Sequence, residues 1–250
     1  MIETAVLLTG ILAGFVNSMA GGGILFVFPV LLAAGLSPMS AAMTCVNAGW
    51  PGSLSAVFGY RKDLAKIKKQ YFWLVIPSVV GTTIGAYLLT QTPTSTFETI
   101  IPWLVLVSVS LFAFQPQLHK HIHRPSRLRR ASPIALLALL VLPVALYAGY
   151  FGAGFGFILL AILGFTKLKN VYQINGMKNF LTAVISLSCT AVFALHGGIV
   201  WHYGIPAIVG STLGGFIGSQ VAHRLSPHFT RVVVIANGLA VVSILFRDSL

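Results

Sequence analysis

Apolar stretches follow one another from Ile2 to Phe246 with only short polar interruptions, and their lengths sort them into two kinds. A bilayer core about 30 Å thick takes roughly 20 apolar residues per helix. By that ruler, full spans fall at 41–59, 71–90, 99–116, 133–151, 174–195, 204–222 and 230–247, and the opening stretch 4–20 is also long enough. Two segments are too short, Ile24 to Gly35 and Phe157 to Phe165, and each follows a glycine cluster at the end of a longer helix. They read as half-helices folded back on their parents, which makes two helical hairpins, 4–35 and 133–165, with ends buried in protein. The expected fold is all-α and polytopic, a single membrane domain over residues 1–250.

The chain also repeats itself. Pro77-Ser-Val-Val-Gly-Thr-Thr-Ile-Gly85 lines up with Pro206-Ala-Ile-Val-Gly-Ser-Thr-Leu-Gly214, an offset of 129 residues. At nearly the same offset the Ala20-Gly-Gly-Gly23 break meets Gly152-Ala-Gly-Phe-Gly156, and Asn47 falls near Asn175 and Asn179. Repeat 1 covers about 1–118 and repeat 2 about 131–250, joined by a basic loop. Each half holds one hairpin and three full crossings. An odd number of crossings makes the second half enter the membrane upside down, an inverted-topology repeat of the kind many secondary transporters use.

Composition agrees with a lipid-facing chain, since 56% of residues are hydrophobic and only 8% charged. The formal charge of +12 raises the question of nucleic acid, but the basic residues sit in short loops between spans. Loops 61–70, 117–132, 166–173 and 223–231 hold 14 of the 16 Lys and Arg, and loops 36–40, 91–98 and 196–203 hold none. The positive-inside rule puts the first group in the cytoplasm and both termini outside it. The expected location is the cell (inner) membrane, with the bilayer and a small anion as partners, no nucleic acid, and no statement on oligomeric state. Met-Ile-Glu-Thr at the start lacks a basic flank, so the first span is expected to be retained. Cys45 and Cys189 lie in apolar segments and read as packing residues.

The glycine breaks carry the candidate chemistry. A helix that stops inside the membrane leaves backbone N–H groups without carbonyl partners, and an anion can satisfy them. The half-helices after Gly23 and after Gly156 would aim partial positive charge at the midplane. Candidate substrate-binding residues are therefore Asn17, Ser18, Gly21, Gly22 and Gly23 around the first break, and Gly152, Gly154 and Gly156 around the second. Asn47, Asn175, Lys178 and Asn179 join them as polar side chains within spans, where lipid makes such groups costly. Lys178 either neutralises an anion or snorkels to the cytoplasmic surface. Among the polar side chains, Asn17, Ser18, Thr44 and Ser53 are weaker candidates, with a bond to a neighbouring helix as the alternative. Gly10/Gly14, Gly81/Gly85 and Gly210/Gly214/Gly218 read as helix-packing positions.

Several activities are disfavoured. Glu3, Asp63, Glu98 and Asp248 all sit at or near span ends, so no intramembrane carboxylate is available to bind sodium or relay protons. The histidines of His119-Lys-His121-Ile-His123 lie beside Arg124, Arg127, Arg129 and Arg130 and read as a basic flank, so neither metal nor cofactor is expected. His196 and His202 fall with Trp201 at the outer interface. No Ser/His/Asp set, HExxH motif or carboxylate pair lies within the spans, which speaks against an enzyme.

The motifs Gly14-Phe-Val-Asn17-Ser-Met-Ala-Gly21-Gly22-Gly23, Phe28-Pro29, and Asn47 through Pro51-Gly-Ser53 resemble the first half of the sulfite exporter TauE/SafE family. Tyr147-Ala-Gly-Tyr-Phe-Gly152-Ala-Gly154-Phe-Gly156, Asn175-Gly-Met-Lys178-Asn179 and the Gly210–Gly218 ladder resemble its second signature. The resemblance covers nearly the whole chain. It implies a carrier for sulfur-containing anions such as sulfite, thiosulfate or organosulfonates, with an anion channel of the same architecture as the alternative. Gly49-Trp50 before Pro51 departs from the common pattern, and the tryptophan is expected to narrow or reshape the pocket.

Overall fold

The computed structural model describes residues 1–19, 21–113, 134–166, 168, 170–222 and 239. The expected span 230–247, the joining loop 117–132 and the basic loop 223–231 lie outside them, apart from residue 239. The described residues are all helical, without a strand. Helix α1 (Ile2–Met19) and half-helix α2 (Ile24–Ala33) form the first hairpin, followed by α3 (Pro38–Asn47) and α4 (Gly49–Leu64). A 3-10 turn, Lys69–Leu74, leads into α5 (Val75–Gln91), and α6 (Thr94–Ala113) follows. In the second half, α7 (Ile134–Tyr150) and half-helix α8 (Phe155–Gly164) make the other hairpin, before α9 (Val171–Leu195) and α10 (Trp201–Val221).

Local chemistry explains the boundaries. The Ser37 hydroxyl accepts the N–H of Ser40 at 3.3 Å, with Pro38 opening α3. The Asn170 side chain accepts the N–H of Gln173 at 2.8 Å and starts α9. Two expectations need correction. The crossing expected as one helix over 41–59 is two, interrupted at Ala48, because Pro51 has no N–H to offer the Asn47 carbonyl. The second half-helix begins at Phe155, two residues early, since the left-handed turn falls at Gly154 (φ +79°) and leaves Gly156 helical.

Three described helices are long and apolar enough to cross a membrane, Ile2–Met19, Lys69–Gln91 with its 3-10 start, and Val171–Leu195, and several shorter apolar helices accompany them. Their outward faces are apolar: Leu12, Trp73, Trp103, Leu139, Ile205 and Phe216 are all exposed. A water-facing surface would not tolerate such a belt, whereas lipid favours it.

The helices pair across the two halves of the sequence. α1 lies along α10, and α5 lies along α7, so the helix that opens each half packs on a later helix of the other. α4 and α9 cross between these pairs. Glycine makes the approach possible. A methyl on Gly14 would fall 2.1 Å from the Ser211 carbonyl oxygen, and one on Gly214 would fall 1.9 Å from that of Ile11. At the other pair, Gly85 meets the Leu146 oxygen at 2.0 Å and Gly149 meets the Thr82 oxygen at 2.3 Å on the same measure.

Gly214→Ala is expected to destabilise the protein at the upper end of the roughly 1–3 kcal/mol typical of overpacking, because its neighbour is backbone and cannot swing away. A thermal melt of the purified protein in detergent checks this. A wild-type melting temperature would mean that the α1–α10 approach does not support the fold.

Candidate functional site

The two glycine breaks touch one another. Gly21 and Gly22 hold left-handed conformations (φ +100° and +84°), which glycine alone adopts without strain, and they turn the chain from α1 into α2. A methyl on Gly21 would lie 3.0 Å from the Gly156 Cα, in the first turn of α8. The starts of both half-helices therefore stand together where α1, α4, α9 and α10 converge.

A cavity of about 30 Å³ opens beside this junction, room for about two waters or one compact oxyanion. Gly22, Gly23 and Ile24 line it from the first break and Gly152 and Phe155 from the second. Asn17 faces it from α1, Gly49 and Gly52 from α4, Thr182 and Ser186 from α9, and Ser211 from α10. No lining side chain is ionised. At the start of α2 the Leu25 and Phe26 N–H groups bond the Gly22 and Gly23 carbonyls at 3.2 and 3.1 Å, and the helix dipole adds partial positive charge at this end.

Two of the lining polar side chains, Asn17 and Ser211, are held in place. Asn17 donates from Nδ2 to Ser53 Oγ at 3.0 Å, and Ser211 Oγ donates to the Ala48 carbonyl at 2.6 Å. Thr182 differs: it is 2% exposed, and its hydroxyl has no hydrogen-bond partner. An orphaned hydroxyl in the membrane core costs stability unless something else bonds it. A ligand in the cavity can do so.

Of the residues expected from sequence, Asn17, Gly22, Gly23 and Gly152 line this cavity, while Gly21 and Gly156 form the contact between breaks. Gly154 caps α8 and faces Ser108. Ser18 turns its hydroxyl to the Phe15 carbonyl at 2.8 Å. Lys178 does not snorkel. It is fully buried, its Nζ donates to the carbonyls of Asn17 and Ser18, and it stands one residue behind the cavity wall. Asn179 Nδ2 donates to the same Ser18 carbonyl at 2.7 Å and to the Asn175 carbonyl at 3.0 Å. Asn47 lies next to lining residue Ala48, with its amide nitrogen against Gly204 and no partner on either amide atom. Thr44 accepts the Val200 N–H at 3.1 Å.

The second break is held differently. Tyr147 and Ser108 hydroxyls both donate to the Ala153 carbonyl, at 2.8 and 3.0 Å. One break thus rests on a lysine and an amide, the other on two hydroxyls.

The expectation for Trp50 is corrected, because Gly49 and Gly52 face the cavity and Trp50 is not among its lining residues. Sequence reasoning missed Gly49, Gly52, Thr182, Ser186 and Ser211. Their signal was spacing: Gly49/Gly52 and Thr182/Ser186 stand three and four apart, on one helical face each.

The sulfite exporter TauE/SafE family model matches residues 6–245, and the chain belongs to that family. It is 28% identical over 240 residues to "Probable membrane transporter protein ORF9" of a Sinorhizobium species, covering 95% of this chain and 89% of that one. A "Probable membrane transporter protein" of Haemophilus influenzae is 30% identical over 231 residues, 90% of this chain and 87% of its own. "Probable membrane transporter protein YfcA" of Escherichia coli K12 is 29% identical over 242 residues, 95% and 87% of the two chains. No solved structure matches. The chain is thereby a membrane transporter.

Thr182→Val keeps the shape of the side chain and removes a hydroxyl that no protein group uses. The variant is expected to melt at or above the wild-type temperature while binding thiosulfate roughly 10- to 100-fold more weakly, the range for a hydrogen bond to a charged group. Calorimetric titration and a melt of the same sample check it. Lower stability with unchanged binding would make Thr182 a structural residue.

Proposed function

We propose that this family member carries small sulfur-containing anions, such as sulfite, thiosulfate or an organosulfonate, across the cytoplasmic membrane by alternating access. The observation that carries the reading is the cavity at the junction of the two breaks, which lies at the positive end of the α2 dipole, offers the free Thr182 hydroxyl and holds no carboxylate. Donors without a lining cation suit an anion whose charge is spread over several oxygens. The cavity volume favours compact oxyanions over long-chain sulfonates in this conformation. The family's description as sulfite exporters points to the same chemistry.

Alternating access is supported by the exchange of helices between halves. α1 with α10 and α5 with α7 form two close pairs flanking α4 and α9, an arrangement expected of inverted repeats that rock about a central site. The basic loops would face the cytoplasm and the α1 and α10 starts, where Glu3 and His202 pair at 2.7 Å, would face outward.

Proteoliposomes containing the purified chain are expected to take up labelled sulfite or thiosulfate saturably, with faster uptake when unlabelled anion is loaded inside and no competition from chloride. Linear, unsaturating flux would replace the carrier by a channel. Absence of flux for every sulfur anion, with the protein folded, would remove the substrate class.

A further inference from the structure

Lys178 is the one charged side chain among the described residues with no exposed surface. Its Nζ bonds the Asn17 and Ser18 carbonyls, which the break at Gly21 and Gly22 leaves without helical partners at the end of α1. It has no carboxylate. The ion pair found among the described residues, His202 with Glu3, lies at the opposite end of α1. From α4, Tyr60 reaches the same Ser18 carbonyl at 3.5 Å, Asp63 is half-buried a turn further on without an ion pair to Lys178, and Arg61 and Lys62 are exposed. From α1, no titratable side chain besides Glu3 exists, and α2 and α8 carry none at all. α9 itself adds Tyr172, half-buried near its start, and Cys189, three turns away. α3 adds buried Cys45 on the cavity wall; Tyr147 and Tyr150 of α7 stand at the second break and Tyr87 of α5 is exposed beside His196.

Position turns this isolation into a device. Asn17 offers its carbonyl to Lys178 and faces the cavity with the same residue. An anion there brings the opposite charge the ammonium lacks, in a medium that screens little, and so favours protonation of the amine. By linkage, protonation favours the anion equally.

We propose that Lys178 is the proton-binding site of the transporter and that the proton it takes up travels with the anion. This rests on the transport reading. The neutral amine gains one proton from water as the anion enters. The ammonium returns it to water as the anion leaves on the other side, so each cycle moves one anion and one proton with no covalent change. The sign follows: anion affinity is highest at low pH and falls as pH rises, by up to tenfold per unit for one linked proton.

Thiosulfate is the main probe, because its own charge is constant between pH 6 and 9, and sulfite the second, with its own titration subtracted from a protein-free blank. Wild-type chain in weakly buffered detergent is expected to take up as much as one proton per anion bound and to lose affinity across that range. Lys178→Arg, which keeps the charge permanently, is expected to bind with no proton uptake and no pH dependence. Lys178→Met is expected to bind weakly at every pH; should it fail to fold, the arginine variant and wild-type proton uptake decide the matter. Wild-type binding without proton uptake, or a pH dependence that survives in Lys178→Arg, overturns the proposal while the carrier reading stands. Failure to bind or move either anion defeats the carrier reading itself, and the proton site with it.

Discussion

Everything in this structure answers to one constraint: in lipid, a backbone N–H or C=O freed from its helix must find a partner inside the protein. The chain breaks two helices beside one another and so creates that demand. The carbonyl side is met internally, by Lys178 and Asn179 at the first break and by Tyr147 and Ser108 at the second. On the N–H side, Leu25 and Phe26 bond the Gly22 and Gly23 carbonyls and Phe157 bonds that of Gly154, and the start of α2 borders a small cavity.

Holding broken helices together in a membrane needs tight packing, since lipid gives apolar side chains no reason to prefer one another. Glycine supplies it. Where Gly14 meets Ser211 and Gly214 meets Ile11, backbone lies directly on backbone, and the same holds for Gly85 with Leu146. Such surfaces are smooth, with few side chains to interlock, so they allow sliding as well as close contact. The breaks themselves are pinned by side-chain bonds that can be made and broken singly.

The two breaks are alike in backbone and unlike in chemistry. Placing a lysine behind one and hydroxyls behind the other gives the site an asymmetry that the repeated sequence motifs alone do not suggest. The lysine side sits near the start of α9, so the two faces of the cavity differ in chemistry.

Much was legible along the chain because membrane insertion leaves a simple mark: apolar runs of a given length, glycine clusters that end them, and a duplicated motif. From these alone follow the helical class, both half-helices, and the clustering of Asn17, Gly22, Gly23 and Gly152 at one place. What they could not supply was direction. Thr182, Ser186 and Ser211 look like ordinary helix residues until α9 and α10 are seen to cross beside the breaks. Trp50 looked like a wall of the site, yet the Pro51 interruption leaves Gly49 facing it instead. Lys178 had two destinations of similar plausibility by sequence, one turn from a helix start. Only the placement of α1's loose carbonyls beside it decided that it turns inward. Local periodicity determines which residues share a helix face, because that depends on bonds four residues apart. Which face meets a cavity depends on how distant helices pack, and that is decided by glycines more than a hundred residues away from the side chains they admit.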